Sequence, residues 1–264
     1  MKTIKSVTVF LFVSLVIQLN AESLKQGDNI SFVACPIVRD TKTVPCWYSE
    51  YQGVSYYLGI QQDIGADWYP PQLKHKILVE GKITGESVCG GIKLDPVHTS
   101  VLPELSLECD TILPAEDNII APHGERGAGP NTEKPSSGGP RPRSEGPKPP
   151  FKQQDFIVHY DFDGIQIYNR EFVVFRQAVN YAKVSKAKSL TATVYRGSAL
   201  LSDGSMIVES ESVIADRTRG IERWLAYAEL PAEVKTEVVT ASKAAKPNGK
   251  DDYNNRRVVI TVTP

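Results

Sequence analysis

The chain has 264 residues, 41% of them hydrophobic, and a formal net charge of −1. That length and apolar content suit two modest cores rather than one large one. A near-neutral balance supplies no basic face, which nucleic-acid binding requires first, so nucleic acid is excluded as a partner.

Lys2 and Lys5 precede a nearly unbroken apolar run over 7–17, and Leu19-Asn20-Ala21 ends in a small residue. This pattern predicts a signal peptide over 1–21 with cleavage after Ala21, hence an exported chain. The run is shorter than the ~20 residues that span a hydrocarbon core, so removal is expected rather than anchoring. All four cysteines, Cys35, Cys46, Cys89 and Cys109, follow in the first half of the mature chain. An even count in an exported protein predicts two disulfides. No pair has C-x-x-C spacing and no histidine doublet accompanies them, so no metal is expected. Three connectivities are open; sequence proximity favours Cys35 with Cys46 and Cys89 with Cys109.

Residues 22–114 read as short strands between turns. Alternation over 77–83, the break at Gly90-Gly91, and punctuation by Pro70-Pro71, Asp95-Pro96 and Pro103 predict a small all-β unit. A five-stranded OB-like barrel fits that spacing. Trp47, Tyr48, Tyr51, Tyr56, Tyr57, Trp68 and Tyr69 crowd into this unit. They are expected to form its core, the alternative being an exposed platform for a carbohydrate or peptide. Residues 115–152 then turn rich in proline and glycine, with Lys134, Arg141, Arg143, Lys148 and Lys152 outnumbering Glu133 and Glu145. So little apolar material predicts a disordered linker.

The last part, 153–264, is patterned as α/β. Phe156, Val158, Tyr160 and Phe162 share one face of a strand that turns at Asp163-Gly164. Phe172, Phe175, Val179 and Ala182 mark a helix over 170–185. Leu190, Ala192 and Val194 alternate in a second strand, and a loop over 196–209 follows. Ile214, Thr218, Ile221, Leu225 and Ala228 mark a second helix, capped by Ser210 or Ser212 and ended by Pro231. Strands over 234–241 and 257–263 complete a mixed sheet with both helices on one face.

Three segments of this part resemble the OmpA-like C-terminal domain family, which binds peptidoglycan in Gram-negative envelopes. They are Tyr160-Asp161-Phe162-Asp163, then Ala215-Asp216-Arg217-Thr218-Arg219-Gly220-Ile221, and the closing Asn255-Arg256-Arg257-Val258-Val259-Ile260. The resemblance covers 155–264 and implies a periplasmic protein associated with peptidoglycan or the outer membrane. Family members hold the diaminopimelate of the stem peptide between an aspartate after the second strand and an arginine early in the second helix. A guanidinium pairs the ligand carboxylate bidentately while the aspartate receives its ammonium. The arginine falls on Arg217, with Arg256 and Arg257 supporting. The family aspartate is missing directly after the second strand, where Val194-Tyr195-Arg196-Gly197 stands. Asp203, in the following loop, is the expected replacement; Asp216 would point elsewhere on the helix.

No G-x-S-x-G, H-E-x-x-H, phosphate loop or dinucleotide fingerprint occurs. His75, His98, His123 and His159 stand singly, and the carboxylate pairs Glu209 with Glu211 and Asp251 with Asp252 lack apolar flanks. A non-enzyme without a cofactor is expected. Its expected job is to tether an N-terminal β module noncovalently to the wall. The alternatives are a receptor acting through the aromatic β module, and an envelope interaction or assembly factor contacting outer-membrane or other envelope proteins on a scaffold that has lost diaminopimelate recognition.

Overall fold

The computed structural model describes residues 24–60, 71–122, 146–241 and 243–264. The expected signal peptide, Trp68, Tyr69, His123 and the middle of the expected linker, including Glu133, Lys134, Arg141, Arg143 and Glu145, lie outside those residues. Among the described residues no helix is long and apolar enough to cross a membrane.

The N-terminal module is all-β, as its turn-rich sequence implies. Among the described residues seven strands form one sheet: β1 (Asn29–Ala34), β2 (Pro36–Arg39), β3 (Cys46–Tyr51), β4 (Val54–Ile60), β5 (His75–Val88), β6 (Gly91–Leu105) and β7 (Thr111–Leu113). Their order is β1-β5-β6-β4-β3-β2-β7. Two more strands than expected, with parallel pairs β4–β6 and β2–β7, replace the five-stranded OB-like plan. The long hairpin β5–β6 turns at Cys89 and Gly90, both at positive φ. Trp47, Tyr48, Tyr56 and Tyr57 are all buried, so these aromatics are core and not a platform.

The disulfides join Cys35 to Cys109 and Cys46 to Cys89, correcting the pairing drawn from sequence proximity. The β2–β3 ladder explains why. Pro36 faces Ser49 and Arg39 faces Cys46, so Cys35 and Cys46 sit near opposite ends of that ladder. Four residues of strand put them about 13 Å apart, beyond the ~7 Å that a disulfide tolerates. The observed Cα separations are 4.9 and 6.6 Å.

The first described residues of the expected linker pack against the β module. Ala121 is buried beside Cys89 and Tyr48, Arg39 and Lys42 pair with Glu116 and Asp117, and residues 115–121 therefore belong to the β module. At the other end the Tyr181 hydroxyl donates to the Lys152 carbonyl at 2.7 Å, and Phe151 packs edge-on to the same ring.

The C-terminal module contains β8 (Gln154–His159), α1 (Asn169–Ser185), β9 (Ser189–Val194), β10 (Ser198–Leu200), β11 (Met206–Val208), α2 (Glu211–Tyr227), β12 (Lys235–Thr240) and β13 (Arg257–Thr263). Its four-stranded sheet runs β12-β9-β13-β8, with β12 parallel to β9 and β13 antiparallel to both neighbours. Strict alternation buries Leu190, Ala192 and Val194 on β9, and Val258, Ile260 and Val262 on β13, against Phe175, Ala178 and Ala182 of α1 and Ile221 and Leu225 of α2. Ser210 caps α2, its hydroxyl accepting from the Val213 N–H. The expected plain loop over 196–209 holds instead the hairpin β10–β11, turning at Asp203-Gly204.

The hairpin matters because it joins the modules. Ala199, Leu201 and Ile207 pack with Phe162 against Leu78, Val33 and Leu102 of the β module. Ser202 N–H donates to the Ser31 carbonyl at 2.7 Å, and its hydroxyl accepts from Ser31 N–H at 2.9 Å. The two modules are thus held face to face.

Candidate functional site

Arg217 lies on the buried stripe of α2. Val213, Arg217, Ile221 and Leu225 recur every four residues and all face inward; Ile221 and Leu225 are on the stripe that apolar spacing implied, whereas Val213 and Arg217 take the places expected of Ile214 and Thr218. Its relative exposure is 0%. A guanidinium in such a place must be matched group by group, because an uncompensated buried charge costs several kcal/mol. Glu209 supplies the match: Nη2 donates to Oε1 at 2.6 Å and Nη1 to Oε2 at 3.0 Å. Nε donates to the Gly164 carbonyl at 2.8 Å, Nη2 also to the Asp161 carbonyl at 3.0 Å, and Tyr160 lies under the guanidinium with its centroid 4.5 Å away.

Glu209 is equally saturated. It accepts from Gly197 N–H at 2.6 Å and Asp163 N–H at 3.0 Å besides the two bonds from Arg217, and its own exposure is 0%. Gly197 is fixed by this crowding: a Cβ there would overlap the Arg256 side chain and come within 3.0 Å of Glu209 Oε2.

The expected partner of Arg217 is elsewhere. Asp203 is exposed in the β10–β11 turn, where Oδ1 accepts from the Ser205 hydroxyl at 2.6 Å and Ser205 N–H at 2.8 Å. Those bonds, the hydroxyl's first, hold its carboxyl below the usual carboxylate range. Its charge is felt by Tyr51 of the β module, whose hydroxyl is raised by burial first and by Asp203 second. The structure therefore does not bring Asp203 and Arg217 together into a two-ended site. Asp216 pairs with Arg219 on the outer side of α2.

Arg256 and Arg257 also take structural positions. Arg256 is 1% exposed and reaches across the module junction to Glu80 of β5, with Nη2 to Oε2 at 2.5 Å and Nη1 to Oε1 at 3.2 Å. Beside it Tyr253 stacks on His98 of β6 with ring centroids 3.6 Å apart, and Phe162 N–H donates to the Ser100 hydroxyl. Arg257 donates to the Asn254 carbonyl and lies over Tyr195. Burial, then Arg256, His159 and Arg170, push His98 down to about 4, so it is neutral at physiological pH. A cavity of about 260 Å³ opens beside this junction, lined by Lys82, His98, Lys250, Asp251 and Tyr253 among others.

Glu209 and Glu80 are the two residues that govern the arginines; sequence reasoning weighed Glu209 only as half of a carboxylate pair with Glu211 and did not single out Glu80. Glu209 stands eight residues before Arg217 across a helix start, a spacing with no periodic meaning, and Glu80 stands 176 residues before Arg256.

No protein-family model matches this chain, and no curated protein matches it. Among solved structures, the OmpA-like domain of FopA1 from Francisella tularensis subsp. tularensis SCHU S4 is 16% identical, with 42% of this chain and 71% of that one covered and a TM-score of 0.32. A MotB like protein from Desulfovibrio vulgaris is also 16% identical, over 40% of this chain and 69% of that one, with a TM-score of 0.31.

Proposed function

We propose that this chain is a noncatalytic protein of the cell envelope that works by protein–protein contact, its α/β module serving as a scaffold with the wall-peptide site closed. The observation that carries this reading is the Glu209–Arg217 pair. A ligand carboxylate would have to displace a carboxylate already bound at two points inside the protein, and both groups are without solvent access. Docking of the β module through Arg256–Glu80 supports it further, since Arg256, within the segment that the family resemblance highlights, is committed to holding the modules together, while Arg257 is held by the Asn254 carbonyl of its own module. An exported location follows from the N-terminal pattern and agrees with the two disulfides.

The test is co-sedimentation of the mature chain with purified diaminopimelate-type peptidoglycan, beside an Arg217→Lys variant. The expected result is no saturable retention of either. Saturable retention of the wild type, competed by free diaminopimelate and lost in the variant while circular dichroism stays native, would return the protein to the role of a wall tether.

A further inference from the structure

The outer face of the α/β module carries an apolar groove that the described residues leave uncovered. It lies between α1 and α2, has a volume of about 360 Å³, and is walled by Phe172, Phe175, Val179, Trp224 and Tyr227. Trp224 leans on Phe172 with centroids 5.0 Å apart yet stays 41% exposed, and Tyr227 is 74% exposed. Contiguous exposed aromatics of this kind mark interaction surfaces. The groove also has a sign. Arg176 and Lys183 line it, and none of its lining residues is a carboxylate.

The opposite surface is found on the β module of the same chain. Leu105, at the end of β6, Leu107 and Ile112 on β7 are 65%, 67% and 64% exposed. They are interleaved with Glu104, Glu108 and Asp110, and no lysine or arginine occurs from 104 to 117. Lys76 and Lys74 approach Glu108 and Asp110 only at 3.6 Å across exposed surface, pairs of the kind worth ~0–1 kcal/mol and readily exchanged. Among the described residues Glu104 is in no ion pair. Among the described residues β7 is moreover the last strand of its sheet, with no strand paired on its other side.

We propose that the occupant of the α1–α2 groove is a second copy of this chain, which inserts the Leu105–Leu107–Ile112 edge of its β module between Arg176 and Lys183. Apolar surface meets apolar surface, and the carboxylates flanking the leucines meet the cations at the groove. Because the two patches are different, the contact is head to tail and propagates from copy to copy unless its rotation closes a ring. This deepens the interaction reading by naming a partner, and it is measured without any wall material, so its failure and a positive wall-binding result are separate outcomes.

The test is sedimentation equilibrium of the mature chain over a wide concentration range, with Tyr227→Asp blocking the groove and Leu107→Asp blocking the edge. Both residues are exposed, and native circular dichroism confirms that each variant folds. The expected result is concentration-dependent association of the wild type, loss of association in each variant alone, and recovery on equimolar mixing of a species of two chains and no larger, since the mixture holds one intact groove and one intact edge per pair. A wild type that stays monomeric throughout overturns the proposal. So does association lost in the variants but not recovered on mixing, which marks a symmetric contact, and so does association that survives either substitution.

Discussion

Arg217→Ala separates a structural arginine from a ligand-binding one by its effect on stability. An exposed binding residue can be removed at a cost within ~0.5 kcal/mol. Arg217 is instead fully buried, and its loss takes away two bonds to Glu209, one each to the Gly164 and Asp161 carbonyls, and the Tyr160 contact. Glu209 would keep only the Gly197 and Asp163 N–H groups and remain buried as a charge without a counter-charge. Breaking a buried pair from one side costs ~3–5 kcal/mol. The expected outcome in equilibrium urea unfolding is an unfolding free energy lowered by that amount, seen as a lower midpoint at unchanged slope. Arg217→Lys should recover part of it, because a lysine keeps the charge but cannot form the two-point fork. The double variant Arg217→Met with Glu209→Met should be more stable than Arg217→Ala, since it leaves no orphaned charge. A loss below about 1 kcal/mol for Arg217→Ala would show that the pair is not the anchor described, and would reopen Arg217 as a binding residue.

The remaining expectations test the surroundings of this pair. Gly197→Ala should destabilise by ~1–3 kcal/mol through overpacking against Arg256 and Glu209, seen as a lower thermal midpoint; no change would mean that the turn yields freely. Non-reducing peptide mapping should recover Cys35 with Cys109 and Cys46 with Cys89, and opening either loop, of 74 or 43 residues, should cost up to about 4 kcal/mol; mapping of Cys35 to Cys46 would refute the sheet register. His98 binds its proton more weakly folded than unfolded, at about 4 against 6.5. The unfolded chain therefore takes up the proton first on acidification, and stability that is full above pH 6.5 is lost down to pH 4, by about 3 kcal/mol from this residue. Unfolding of wild type and His98→Gln at several pH values isolates it, because Asp161, raised mainly by its own burial, acts in the opposite sense in both proteins. Parallel pH profiles would refute the assignment.

Much of the fold was legible because it is written in short-range pattern. Period-two alternation in β9 and β13 and the 3.6-residue recurrence in α1 place those elements within one residue of where they stand, and alternation places β8 within three, since each half-buried strand or helix must carry its own apolar face. A serine cap at 210 or 212 and the all-β nature of the first module were legible for the same local reason. The sites were not. Arg217 looked available because a charged residue beside an apolar stripe is normally solvated, and only the path of the 196–209 hairpin decides that Glu209 meets it. Cysteine partners depended on which strands become neighbours, and the order β4-β3-β2-β7 overrides closeness in sequence. Arg256 read as support for a ligand site until the docking of the β module set Glu80 against it. By itself the sequence determined the long strands and both helices of the α/β module, though not the short β10–β11 hairpin, because side-chain burial along one element is a local property. Only the tertiary structure decided which charges are paired, because pairing a buried charge requires groups far apart in the chain to converge, and no periodicity encodes that convergence.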